Sequence, residues 1–156
     1  MDAKHVKDSQ TEQTYLIMPK HSNGYGKMFG GTLTAWIDEM AGIVSRRHCQ
    51  TETATVSIDN LNFKDNVSVG DMVVLIGRIT YVGNTSMEIR VDTYKEELNG
   101  IRRMINRAYL VMVSVDENYK PQPVPKLILE TESERAEWEG ALRRKELRLQ
   151  RRKGGY

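Results

Sequence analysis

Residues 72–95 read MVVLIGRITYVGNTSMEIRVDTYK. The first half, 72–82, is apolar and rich in β-branched side chains, the mark of a largely buried strand. Gly83-Asn84 predicts a two-residue hairpin turn. The second half alternates. Met87, Ile89, Val91 and Thr93 fall on one face, and Ser86, Glu88, Arg90 and Asp92 on the other. Two strands joined by so tight a turn are antiparallel.

The pattern extends outward from this hairpin. TATVSIDNLNFKD (53–65) is β-rich, with Val56 and Ile58 on one parity and Leu61 and Phe63 on the other. The parity switch predicts a bulge near Asp59 and Asn60. VSVGD (67–71) reads as a turn and Asn99-Gly100 as a second hairpin signal. RAYLVMVSVD (107–116) is a last long strand, apolar on both sides. The three prolines of KPQPVPK (120–126) then end the sheet. Upstream, residues 15–18 fit a short strand, and 30–48 read as one helix with apolar residues at 33, 36, 37, 40, 41, 43 and 44. Residues 131–152 form a second helix, and Thr131 with Glu134 fits a capping box. The expected fold is α+β: one apolar helix against a four- or five-stranded antiparallel meander, with a C-terminal helix appended. No further crossover helices exist to build a doubly wound parallel sheet.

The chain has 156 residues, enough for one domain with a real core. The expected division is a flexible N-terminus over 1–12, one domain over 13–128, and a charged helix and tail over 129–156. No apolar stretch approaches the ~20 residues of a membrane span, and the polar start is not a signal peptide. A single cysteine, Cys49, excludes an internal disulfide and suits a reducing, cytoplasmic setting. No Cys/His pair has zinc-ligand spacing, so no metal is expected. A net charge of +2 does not by itself imply a nucleic-acid partner. Charge is uneven, however: five glutamates lie in 130–139, and Arg143, Arg144, Lys145, Arg148, Arg151, Arg152 and Lys153 follow. An acidic start and basic end match a helix dipole. The same basic end could also hold an anionic group.

HSNGYGKMFGG (21–31) lies between the first strand and the helix, in the order of a phosphate-cradling loop. Its glycines fall at 24, 26 and 30, one residue too long for the dinucleotide fingerprint, and no Gly-Lys-Ser/Thr follows. The fold class also argues against a nucleotide site. What survives is backbone physics: a helix starting at Gly30-Gly31 offers free N–H groups to a negative oxygen.

One face of that helix is apolar. The other carries Gly31, Thr34, Ala35, Asp38, Gly42 and Ser45. A solvated face would carry long charged side chains. Small residues instead let another backbone or a ligand approach. Asp38 stands in the middle of this stripe, and burial in a partly apolar interface suits a carboxylate to general-base work. Asp38 and Gly31 share the face but lie about 10 Å apart along the axis. One ester-sized group cannot readily touch both in one chain. If both act, they come from two subunits whose helices pack antiparallel across a two-fold axis.

NGYGKMFGGTLTAWIDEMAGIVSRRHC (23–49), followed by TVSIDNLNFKD, YVGNTSMEIRV, PVPKL and ETESE, resembles the hotdog-fold acyl-CoA thioesterases, in particular the YciA-like and brain-type acyl-CoA hydrolases. The resemblance covers roughly residues 12–140. It implies a long central helix wrapped by an antiparallel sheet, and hydrolysis of acyl-CoA to free acid and CoA with no separate cofactor. It places the catalytic carboxylate on Asp38, the loop asparagine on Asn23 and the oxyanion amide on Gly31, with Gly30 beside it. Ser57, Asn84, Thr85 and Ser86 fall on positions lining the CoA channel. It further implies a homo-oligomer, a hexamer built as a trimer of dimers, with active sites at the dimer interface and no nucleic-acid or membrane partner. Relatives often carry proline where this chain has Gly24. Whether Asp38 activates water or attacks directly to form an anhydride stays open.

Competing readings exist. Cys49 with His48 would be a nucleophilic pair, but adjacent helix residues do not face each other. His21 is the only histidine placed for a dehydratase, and a hydrogen-bonding loop role competes with it. A DNA-binding acyl-CoA sensor would need a helix-turn-helix that the short leading segment cannot supply. A basic-tail RNA or membrane binder, or a tail meeting the phosphates of CoA, would use residues 143–153.

Overall fold

The computed structural model describes residues 1–59, 61–64 and 66–156. Five strands form one antiparallel sheet: β2 (Thr11–Leu16), β3 (Glu52–Asp59), β4 (Met72–Val82), β5 (Ser86–Glu96) and β6 (Arg102–Val115), in the order β2-β4-β5-β6-β3. The long hairpin β4–β5 is the one expected over residues 72–95, and β5 is the central strand. The sheet is not a simple meander. β3 lies beside β6 at the far edge, so the chain crosses the sheet between β3 and β4. A separate parallel pair joins β1 (Lys4–His5) to β7 (Leu127–Ile128).

The helix α1 (Gly30–Cys49) lies along one face of the sheet between its two edges: β2 meets it at Trp36 and Arg47, and β3 meets it at Asp38 and Ser45. Its apolar stripe, Leu33, Trp36, Ile37, Met40, Ala41 and Val44, is buried with Leu75, Ile79, Ile89, Val91 and Leu110 in a single core. At about 1.5 Å per residue, its 20 residues span ~30 Å. The helix ends at Gln50, whose φ of 59° is left-handed. Gly77 on β4 faces it directly: a Cβ there would lie 2.7 Å from Met40 Cγ and 2.8 Å from Val44 Cγ2. Gly77→Ala is therefore expected to destabilise by about 1–3 kcal/mol through overpacking. A urea midpoint unchanged from wild type would show that the core repacks freely.

The opposite face of the sheet is covered by α2 (Glu132–Lys153). Thr131 caps it: its hydroxyl accepts from the Glu134 amide at 3.0 Å, while Glu134 Oε2 accepts from the Thr131 amide. This is the expected capping box. The even-numbered face of β5 therefore does not face water. Glu88 and Asp92 are 2% and 0% exposed. Glu88 receives Arg144, Arg148 and Thr80; Asp92 receives Arg90 and Arg107. Arg144 also lies 3.7 Å over the Tyr109 ring, and Trp138 packs on Tyr81. Two residues of the basic run are thus internal ion-pair partners of the sheet, in addition to matching the dipole.

Several boundaries differ from expectation. The β4–β5 turn residues are Asn84-Thr85, since the Gly83 amide donates to Ser86 O at 2.8 Å, one residue later than Gly83-Asn84. The bulge in β3 lies between Thr55 and Ser57, not near Asp59; Asn60 is outside the described residues. The leading segment is tied down from Lys4 on. Lys4 N–H donates to Lys126 O at 2.9 Å, Val6 is 5% exposed and Ser9 is fully buried. A single buried apolar residue gives no periodic signal, which is why the segment reads as loose. The first strand begins at Thr11 rather than Tyr15. Among the described residues, no helix is long and apolar enough to cross a membrane.

Candidate active site

The loop 21–29 folds as a small hairpin, with Ser22 opposite Met28 and the Asn23 amide donating to Lys27 O at 2.9 Å. Gly24 and Gly26 sit at φ of +89° and +73°, a region in which other residues are strained. Asn23 Oδ1 accepts from the Tyr25 amide at 3.0 Å, which fixes its carbonyl end and leaves its NH2 group outward. The Phe29 amide donates to His21 O, so the loop closes directly onto the first turn of α1. Thr32 and Leu33 amides turn back to Phe29 O. The amides of Gly30 and Gly31 have no partner within the helix.

A cleft of about 390 Å³ opens here. Its lining includes Asn23, Gly30, Lys27 and Lys64, above a floor of Met28, Leu33, Val67 and Ile105. Phe63 forms a wall, its ring 3.4 Å from where a Gly30 Cβ would be. Gly31 sits under the Phe29 ring, and a Cβ there would lie 2.4 Å from Cε1. No larger residue fits at Gly31 unless that ring moves. Phe29 and Phe63 are about half exposed, so two aromatic rings stand open beside the helix start.

Asp38 is two turns further along α1, half-buried, on the stripe of small residues. Its Oδ1 accepts from Thr55 Oγ1 at 2.7 Å. Gly31 and Ala35 on that stripe are exposed, whereas Ser45 at its far end is fully buried against Thr53. Beside the stripe lies β3, an edge strand whose Val56 is 58% exposed. One chain therefore brings Asn23 and Gly30 together and keeps Asp38 outside that cleft's described lining. Thr55 was not foreseen. An exposed threonine on a strand carries no local signal, and only its bond to Asp38 marks it.

The remaining expected positions lie elsewhere. Asn84 and Thr85 use their carbonyls to hold Val124 N–H and Ser114 N–H, so this turn braces the chain around residues 114–124. Ser86 borders a small crevice against α2, with Lys145, Arg148 and Arg152. Ser57 on β3 pairs with Val111 on β6. None of these four is among the described lining of the Asn23 cleft.

The histidines have structural partners. His21 Nδ1 accepts from the Met18 amide at 3.0 Å, and its ring packs edge-on to Trp36. His48 is fully buried, and its Nε2 donates to Pro125 O at 2.8 Å, because a carbonyl can only accept. Burial pushes its imidazole below the usual histidine range, although the bond to Pro125 opposes this. Cys49 Sγ instead meets Thr51, so the two neighbours form no nucleophile–base pair. Among the described residues, no group of three His, Cys, Asp or Glu could hold a metal.

Comparison with known proteins gives one answer. The thioesterase superfamily model matches residues 25–101. A Bacillus subtilis relative named as an uncharacterized acyl-CoA thioester hydrolase, YkhA, is 37% identical over 85% of this chain and 78% of its own. A solved apo-hexameric acyl-CoA thioesterase is 39% identical, with a TM-score of 0.92 over 97% of each chain. An acyl-CoA hydrolase from Staphylococcus aureus, solved with butyryl coenzyme A, coenzyme A and coenzyme A disulfide, is 30% identical, with a TM-score of 0.90 over 96% of this chain and 92% of its own. That protein has also been solved as three separate alanine variants, of an aspartate, an asparagine and a threonine. On these likenesses in sequence and fold, the chain belongs to the thioesterase superfamily and has its hotdog fold, a long helix wrapped by an antiparallel sheet.

Proposed function

We propose that the protein hydrolyses acyl-CoA to a free carboxylic acid and CoA. The observation that carries this is the cleft at the head of α1, where Asn23 and a free helix terminus meet over an apolar floor. The thioester carbonyl lies against the Gly31 amide, which stabilises the oxyanion. Asp38 of a facing subunit removes a proton from water as it attacks, or attacks directly and is released from an anhydride by water. In either case the C–S bond breaks, the CoA thiolate leaves, and the chain is regenerated. Asn23 orients the water or the carbonyl through its free NH2. Thr55 positions Asp38.

Spacing supports these roles. In the Staphylococcus aureus hydrolase the replaced asparagine precedes the replaced aspartate by fifteen residues, and the threonine follows by seventeen. Asn23, Asp38 and Thr55 stand at the same intervals. The second subunit is a copy of this chain, packed on the open stripe of α1 and the free edge of β3. Hexameric relatives are consistent with a trimer of such dimers.

A thiol-release assay across acyl-CoAs of different length tests the reading. Turnover of at least one chain length is expected, and none with any acyl-CoA overturns it. Thr55→Ala is expected to lower kcat by about 10-fold while leaving KM within a factor of two, the loss of one hydrogen bond to the reacting carboxylate. Equal losses in binding and turnover would argue against a positioning role.

A further inference from the structure

The cleft beside Asn23 has an apolar floor and a cationic rim, and none of its described lining residues is a carboxylate. Its two lysines differ. Lys27 is held, its Nζ donating to Ser68 Oγ at 3.0 Å. Lys64 has a pinned backbone and a free head. Its amide donates to Ile105 O at 3.1 Å, and the carbonyl of nearby Asn62 accepts from Asn106 Nδ2 at 2.7 Å. Its side chain is exposed at the rim and has no acidic partner among the described residues. The cleft's 390 Å³ is at the low end of small-molecule sites, ~300–1,000 Å³, and admits only part of an acyl-CoA. A group longer than the cleft extends beyond it, and Lys64 is an exposed cation of its lining.

We infer that Lys64 is a specificity-determining residue whose ammonium meets an anionic oxygen on the thioester substrate where it leaves the cleft. This rests on the thioesterase reading above. An ammonium on a flexible stem is a point charge that accepts either a phosphate or a carboxylate. The anion therefore has two sources: the phosphates of the CoA arm, or a carboxylate at the far end of the acyl group.

Lys64→Met keeps the stem and removes the charge. Four substrates separate the sources: a neutral short acyl group and an ω-carboxyl acyl group, each as a CoA thioester and as a pantetheine thioester without phosphates. KM is expected to rise about five-fold where the contact exists, the scale of one exposed charge contact, with kcat within two-fold. A rise confined to both CoA thioesters assigns the contact to phosphate. A rise confined to both ω-carboxyl substrates assigns it to carboxylate. Lys64→Arg should restore KM, and added salt should shrink the difference. A KM change below two-fold on all four substrates overturns the inference, as does a loss confined to kcat. Wild-type protein that turns over none of the four, and no acyl-CoA of longer chain either, would instead defeat the thioesterase reading.

Discussion

Asp38→Asn is expected to lower kcat by about 10²-fold or more, the usual contribution of a positioned general base. The substitution is a clean one. Asparagine keeps a carbonyl oxygen to accept the Thr55 hydroxyl, which reaches Asp38 at 2.7 Å, and it changes the volume of the stripe hardly at all. What it removes is the ability to take a proton or to attack as an anion. Both routes left open for the reaction need that ability, so both fail in the variant. The measurement is thiol release at saturating acyl-CoA, with circular dichroism and oligomer size as controls. Near-normal turnover by a correctly assembled variant would sink the assignment of Asp38. A second comparison tests whether Asp38 works across an interface. Mixing inactive Asp38→Asn with inactive Asn23→Ala subunits should restore part of the activity, because a mixed dimer holds one site with both native residues. No recovery after demonstrated subunit exchange would place both residues in one subunit's site.

What the sequence discloses follows the range of each interaction. The central hairpin and α1 are legible because their apolar periods are long and local. Gly31 and Asp38 stand out because each breaks a local rule: glycines at a helix start, and a carboxylate among small residues. Asn23 breaks none, and only the family resemblance picks it out. The polar side of β5 shows the limit. Glu88 and Asp92 read as the hydrophilic half of an alternating strand, yet both are buried, because cationic partners beyond the neighbouring Arg90 come from β6 and from α2, up to 60 residues away in sequence. The position of β3 is equally hidden. Its register with β6 depends on pairing across the sheet, not on its own pattern. Thr55 combines both problems, since its importance comes only from what faces it.

Glu88→Gln is expected to cost about 3 kcal/mol of stability, because it leaves buried arginine charge uncompensated. Glu88 receives Arg144 at 2.8 Å, Arg148 and the Thr80 hydroxyl at 2.7 Å, on a side chain only 3% exposed. The figure belongs at the low end for a broken buried pair, since Arg148 keeps Asp59 at 2.6 Å and Arg144 keeps the Glu137 carbonyl. Removing charge in balance should cost less: Glu88→Leu combined with Arg144→Met is expected to recover much of the loss, as apolar replacements of ion pairs often do. The pH dependence follows from the same contacts. Burial opposes ionisation of Glu88, but the bonds from Arg144, Arg148 and Thr80 together outweigh it and hold the carboxyl below the usual glutamate range. A depressed carboxylate contributes stability that is fully present above its unfolded value, about 4.3, and is lost as pH falls through the lower folded value. His48 acts in a separate window. Its depressed imidazole makes stability fall as pH drops below the unfolded value of about 6.5, where the unfolded chain gains a proton that the folded chain resists. Urea midpoints measured from pH 8 to pH 3 should therefore decline in two stages. Glu88→Gln should abolish the lower stage and keep the upper one. A lower stage of unchanged size in the variant would show that other carboxylates, not this one, hold α2 to the sheet in acid.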